Sequence, residues 1–334
     1  MDRTGATLHL VNSGHPTPAK RVPLQTGPHE IANWPHPFCA YRTEPLAQRP
    51  ASSMGKQGVC HLSFDAHSAK TRLGHSFVSH PFHFTHPWHL DPGVPGMVVA
   101  YVQTPGGGLI QGDRTYLRFD VGSAAQVHMT NQAAEKIHTM TANCALQQIT
   151  FTLGTQAYAE YCPEPVILFP GSRFGQALQI QLAVGASFFG SEIFLSRSTP
   201  DDTHDGEQNN PSFEAFTTSL TVLDADHTPL IRDQSLALPA LQSLTGPGVL
   251  AAYRVWGQAF LVGPNIPDDW VRDIHAQLPN EPGAEWGITL LPRRRGLSVK
   301  VVGTEVRTVR QVLSGVWNLV RIRHLGVPAP YFPK

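Results

Sequence analysis

The chain has 334 residues, 41% hydrophobic and 15% charged, with 25 basic and 25 acidic side chains in balance. That length supports one large core or two smaller ones, and the neutral balance leaves no general electrostatic footprint for nucleic acid. Four cysteines (Cys39, Cys60, Cys144 and Cys162) form no C-x-x-C pair. This excludes a zinc knuckle and a thioredoxin motif, and the cysteines read as free thiols in a reducing compartment. No run approaches the roughly 18 apolar residues of a membrane helix, and no basic-then-apolar leader opens the chain, so a cytoplasmic protein is expected.

Residues 1–57 are rich in Pro, His, Gly, Gln and Ser and lack amphipathic periodicity. A poorly ordered extension is expected there, followed by one domain over 58–334. Residues 59–64 read as a strand. The segment 75–89 then holds five of the 17 histidines, with His80, His83, His86 and His89 recurring every third residue. In a polyproline helix they would share one face, whereas along a strand they would alternate and could not converge on one ion. Two readings follow: a strand with histidines at ordinary polar positions, or a weak nickel or zinc site of neutral imidazoles.

A buried strand over 97–102 leads into 103–113, where four glycines fall within seven residues, framed by Pro105 and Asp113. Glycine-rich backbone needs a reason, such as a tight turn or a close approach to the main chain. A Walker loop is excluded, because Asp113 and Arg114 stand where Lys and Ser/Thr belong. A dinucleotide fingerprint starting at Gly106 fails at Gln111, and 115–120 alternates like a strand instead of opening a helix. A turn between strands remains.

Alternating strands follow at 114–120, 125–130, 148–153, 157–161, 166–169 and 177–184, with a further one at 188–195. Residues 214–223 and 230–233 form a hairpin about a turn at 224–227. Another strand spans 249–262, and a second hairpin flanks 292–296. Short strands near ten residues apart argue for a mainly β fold of layered or helically coiled sheets, β-helix-like in outline. A short helix is expected near 268–277, with Trp270, Ile274 and Leu278 on one face. A longer one is expected near 304–324, with Val306, Val309, Leu313, Val316, Trp317 and Val320 inward and Arg307, Arg310, Ser314 and Arg321 outward, stopped by Gly326 and Pro328.

An enzyme needs a nucleophile, an acid–base pair or a metal triad. The chain has no G-x-S-x-G, no H-E-x-x-H and no cysteine with an evident local activator. A metal-dependent enzyme built on segment 75–89 is the alternative from another class. Arg293, Arg294 and Arg295, with the arginines of the last helix, read as a solvated basic face or as a contact for an acidic partner.

The ordered set Pro105, Gly107, Gly108, Gly112 and Asp113, then Thr130, Gln132 and Lys136, resembles the signature of the urease accessory protein family UreD (also UreH), P-P-G-G-x-x-G-G-D followed by T-x-Q-A-A-x-K. Glu160, Pro163, Ile167, Phe169 and Gly171 match its next strand, and the resemblance runs from about residue 80 to 332. Two places depart from the family: the longer, acidic loop 196–210, and Pro330-Tyr331-Phe332 in place of P-R-I-W. The resemblance implies a non-catalytic maturation factor that binds the urease apoprotein with UreF and the GTPase UreG. It implies no tightly bound cofactor, only nickel in transit. Asp113, Glu160, Glu192 and Asp233 match the acids that would line the passage, as transient hard ligands. Arg307, Arg310 and Arg321 would meet a partner, and neither nucleic acid nor membrane is implied. A divergent paralogue that no longer serves urease is the other reading of the resemblance.

Overall fold

The computed structural model describes residues 34–45, 55–197 and 213–332, apart from Pro247, Pro264 and Pro279. The chain divides into two units, 1–34 and 35–334, and the architecture below is that of the second. Of the extension expected over 1–57, residues 1–33 and 46–54 lie outside the described residues, as does 198–212, most of the altered acidic loop.

Residues 35–45, inside that expected extension, are packed against the body. They hold a single helical turn, α1 (Phe38–Tyr41), with Phe38 fully buried. A hairpin follows, β1 (Gln57–His67) and β2 (Lys70–Val78), then the two-residue strand β3 (His83–Phe84) and β4 (Val98–Gln103). The chain continues through β5 (Arg114–Val121), β6 (Gln126–Asn131), β7 (Glu135–Ile137), β8 (Ala145–Leu153), β9 (Tyr158–Tyr161) and β10 (Val166–Leu168). Next come β11 (Arg173–Leu182), β12 (Ser187–Ser196), β13 (Ala215–Leu223), β14 (Pro229–Ala237) and β15 (Val255–Val262). Helix α2 (Asp269–Gln277), the hairpin β16 (Ala284–Leu290) and β17 (Gly296–Gly303), and helix α3 (Val306–Leu325) complete the order.

From β4 to β13 the main strands go alternately to two sheets. One sheet runs β14-β13-β11-β8-β5-β1-β2; the other runs β16-β17-β15-β12-β9-β6-β4-β3, with β10 and β7 attached. Neighbours from successive turns are parallel in both sheets. That combination is a helical coil of strands, one of the two arrangements that the strand spacing leaves open. Antiparallel hairpins close its edges.

Alternation along the strands sends one set of side chains between the sheets. Phe119, Phe151 and Ile180 there meet Val127, Phe188 and Phe260. The aromatic rings of Phe119 and Phe188 each lie 4.8 Å from that of Phe151, a separation typical of favourable ring packing. The other face of the second sheet is covered by α2 and α3, whose Ile274, Val309, Leu313 and Val316 pack on Val255, Ala259 and Val299. Gly326 ends α3 in the left-handed conformation (φ 75°), where a Cβ would be strained. Strand β15 starts later than the pattern at 249–262 suggests. Local turns take up the preceding backbone, with Leu250 N–H bonded to Leu244 O (2.9 Å) and Tyr253 N–H to Leu250 O (2.8 Å).

Candidate functional site

The two faces of the β6–β9–β12 sheet carry different polar groups. In β12, Phe188 points between the sheets while Phe189 and Ile193 point to α3. Glu192 shares the parity of Phe188 and projects inward, 3% exposed. It accepts a hydrogen bond from Gln258 Nε2 (2.9 Å) and one from Gln176 Nε2. Among the described residues no Lys or Arg pairs with it. Burial raises its pKa above the ordinary carboxylate value, and the two amide hydrogen bonds only partly oppose this.

Glu192 lines a narrow internal cavity of about 40 Å3 together with Thr104, Asn131, Glu135, Gln147 and Gln176. That is room for water-sized occupants with several polar partners. Burial pushes the Glu135 carboxyl up to about 7; nearby Asp113 adds to the shift, and a hydrogen bond with Thr104 opposes it. Tyr161, on β9, faces the same space, and both acids raise its pKa further after burial.

The glycine motif places Glu135. Gly108 has φ +123°, and a Cβ there would lie 2.2 Å from the Lys136 carbonyl oxygen. The loop therefore presses directly on β7: Leu109 N–H donates to Lys136 O (2.8 Å) and His138 N–H to Leu109 O (3.0 Å). Gly112, at φ +82°, donates to Cys144 O (3.1 Å). Asp113 is fully buried and accepts the N–H groups of Lys56 (2.9 Å) and Ile110 (3.1 Å). Burial raises its pKa against those bonds. The rest of the motif is mostly architectural. Thr130 Oγ1 donates to Cys162 O (2.7 Å), Gly171 takes φ +68° and Pro163 lines the cavity. Pro105, Gly107, Gln132 and Lys136 are exposed.

The α3-facing side holds Glu160, matched to His128 in the parallel register of β9 and β6. Glu160 accepts bonds from His128 Nδ1 (2.7 Å), Tyr158 Oη (2.8 Å) and Arg321 Nη1 (2.9 Å). Arg321 also pairs with Asp91, whose other oxygen caps the N–H groups of Gly93 (2.8 Å) and Val94 (3.0 Å). Burial alone would raise the Glu160 pKa, but the His128 bond and charge, Arg321 and Tyr158 together hold it below its ordinary range. Glu160 is thus a locked structural acid outside the cavity.

Arg321 corrects the expected outward face of the last helix: its side chain is fully buried. It follows Trp317 by one helical turn and so shares its face, with the guanidinium 5.6 Å from the Trp317 ring centroid. Arg307 and Arg310 do lie outside; Arg310 pairs with Glu164 on the lining of the cavity. Asp233 lies on the outer edge strand β14, paired with Lys300 at 2.8 Å, and does not reach the cavity. His80, His83, His86 and His89 are exposed and do not converge: His83 bonds Gln103 and His89 bonds the Thr71 carbonyl. Among the described residues, no group of three or more His, Cys, Asp or Glu is placed to hold a metal ion.

Three residues of these arrangements had no mark in the sequence reading. Glu135 occupies the unspecified position of the second motif, Asp91 sits in a turn, and His128 is one polar residue of an alternating strand. Fold and site together define a coiled β-sheet protein enclosing an acid-lined cavity, with the buried acids Asp91 and Glu160 fixed in ion pairs and Asp113 held by backbone N–H groups. Residues 56–333 match the family model described as "UreD urease accessory protein". The chain is 33% identical over 300 residues to a urease accessory protein UreD of Haloarcula marismortui, covering 90% of this chain and 98% of that one. It is 30% identical over 303 residues to the UreD of Natronomonas pharaonis, covering 89% and 97%. With a UreD 2 of Brucella suis the identity is 29% over 291 residues, covering 87% and 95%. The chain belongs to the UreD family of urease accessory proteins, and a part in urease maturation follows from that membership. None of its described helices is long and apolar enough to cross a membrane.

Proposed function

We propose that the chain is a non-catalytic scaffold of urease maturation in the cytoplasm, binding the urease apoprotein together with UreF and the GTPase UreG and passing nickel inward through its acid-lined cavity. The observation that carries this reading is the Glu192–Glu135 cavity. Its two acids face a narrow cavity otherwise lined largely by apolar side chains, and Glu192 has amide donors but no cationic partner among the described residues. Such a site attracts a cation. Carboxylates and amides hold Ni(II) loosely, whereas a full nitrogen or sulfur cage would retain it. Nickel is the cargo here, with no resident cofactor. Asp113 is close enough to raise the Glu135 pKa but does not line the cavity, and is proposed as the entrance to it; Glu160 and Asp233 do not line it either. Arg307 and Arg310 remain candidates for contact with an acidic partner surface.

The test is co-expression of the urease subunits and the other accessory proteins with this chain, as parent or as Glu192→Gln. Nickel per purified urease active site is the readout. The variant removes charge but keeps shape, so nickel content should fall severalfold while the amount of accessory complex stays constant. Unchanged nickel content would exclude the cavity as the route. Full urease activity without the chain would exclude the maturation role itself.

A further inference from the structure

Residues 35–45 precede the segment matched by the family model, which begins at 56, yet they reach the neighbourhood of Asp113. Asn143 is the hub of this contact, held in the left-handed conformation (φ 59°). On one side its N–H donates to Glu44 Oε2 (2.9 Å), and its Nδ2 donates to the carbonyls of Glu44 (3.2 Å) and Arg42 (3.3 Å). On the other side its Oδ1 accepts from Arg114 Nη2 (2.7 Å) and the Cys144 N–H (2.8 Å). Arg114 Nη1 in turn donates to the Asp113 carbonyl (2.9 Å) and the Cys144 carbonyl (2.6 Å).

Arg173 fastens the same segment to the strand starts. It pairs with Glu44 and Glu214 (2.8 Å each) and stacks 4.4 Å from the Tyr41 ring centroid. These ties are weak. The Glu44 and Glu214 side chains are 38% and 37% exposed, against 12% for Arg173, and pairs with one partner open to water contribute about 1 kcal/mol each. The one fully buried side chain of the segment is Phe38, on a four-residue helix without a side-chain cap. Segments with few buried apolar contacts open well before the core does. Meanwhile Asp113 is closed to solvent, and Lys56, eleven residues beyond the segment, supplies one of its two N–H donors.

We propose that residues 35–45 are a releasable strap: closed, it buries the Asp113 end of the coil through Asn143 and Arg114; open, it admits the cation to Asp113. The gating role rests on the reading of Asp113 as part of the nickel passage, whereas the opening itself does not. Cys144 reports that opening, because it is buried and its N–H is held by Asn143, the residue that binds Glu44. Cys60, buried in the main core between the sheets, reports on that core instead.

The experiment labels the full-length protein with N-ethylmaleimide under native conditions across a urea series, with peptide mass spectrometry resolving each cysteine. Cys144 should react at least about tenfold faster than Cys60 and with a shallower urea dependence, the mark of a local opening. Phe38→Ala and Glu44→Ala should speed Cys144 further without steepening that dependence. Equal rates and equally steep urea dependence for both thiols would overturn the strap. In co-expression at limiting nickel, Glu44→Ala should raise urease nickel content at least about twofold, and Asp113→Asn should lower it. Local opening with parental nickel content in Glu44→Ala would overturn the gating while leaving the Asp113 passage intact. Parental nickel content in Asp113→Asn would overturn the passage reading at that residue, and the gating with it.

Discussion

One sheet carries both buried glutamates, on opposite faces, and they are treated oppositely. Glu160 faces α3 and is met by Arg321, His128 and Tyr158, so its pKa is held low despite complete burial. Glu192 faces the cavity and is met by two neutral amides, so burial wins and its pKa is raised. Desolvating a carboxylate costs several kcal/mol unless partners restore what water supplied. On the outer face the fold supplies them. On the inner face it leaves part of that cost standing.

The largest way to break this contrast is Arg321→Met. It leaves Asp91 and Glu160 buried without their cation, and removing one partner of a buried pair costs about 3–5 kcal/mol. Urea unfolding should show a loss of that order. Because the Glu160 pKa is depressed in the fold, its stabilisation is present above the unfolded carboxyl pKa and is lost as pH falls through the folded value. The parent should therefore lose stability on acidification more steeply than Arg321→Met. Next in size is Glu160→Gln, which keeps the shape but forfeits charge-assisted bonds and should cost about 1–3 kcal/mol.

Glu192→Gln should go the other way. A raised folded pKa means the ionised group opposes folding at neutral pH. That penalty grows as pH rises from the unfolded value to the folded one, and it is absent in acid. The variant should be the more stable at neutral pH, seen as a higher Tm, and the gain should vanish below the ordinary glutamate pKa of about 4. A stabler protein that delivers less nickel is the combination expected of a functional acid. Destabilisation at neutral pH would place Glu192 with Glu160 as a structural group.

Which face an acid occupies was only partly legible in the sequence. Strand alternation located most strands and the outline of α3, because a half-buried strand must repeat with period two. The same parity separates Glu160 from Tyr161, and Glu192 from Ile193. It does not say which face is the cavity, since that depends on which strands become neighbours across the coil. Charge sends Arg321 outward in a helical reading, whereas its spacing from Trp317 puts it on the inward face. Glu135 gave no signal at all. Its strand is three residues long and exists through pairing with β10 and the close approach of Gly108 to Lys136. Asn143 likewise reads as an ordinary loop residue until residues 42–44 fold back onto it.

The smallest effect tests the contrast from outside. Asp233 matches a family acid only by a looser alignment than Asp113 or Glu160, and it sits on edge strand β14 with its side chain 34% exposed, paired to a Lys300 side chain that is 61% exposed. A solvated pair of this kind contributes about 0–1 kcal/mol and is screened by salt. Asp233→Ala should therefore shift the unfolding midpoint little, with even that shift shrinking at high ionic strength. Urease nickel content should match the parent, because the carboxylate is held by Lys300 at the sheet edge and does not line the space that Glu135 and Glu192 share. A fall in nickel content as large as that of Glu192→Gln would mean that the cation travels along the outer edge between the two sheets. The unpaired charge of Glu192 would then be an unrepaired cost of the fold, and the division of the sheet into a structural and a functional face would fail.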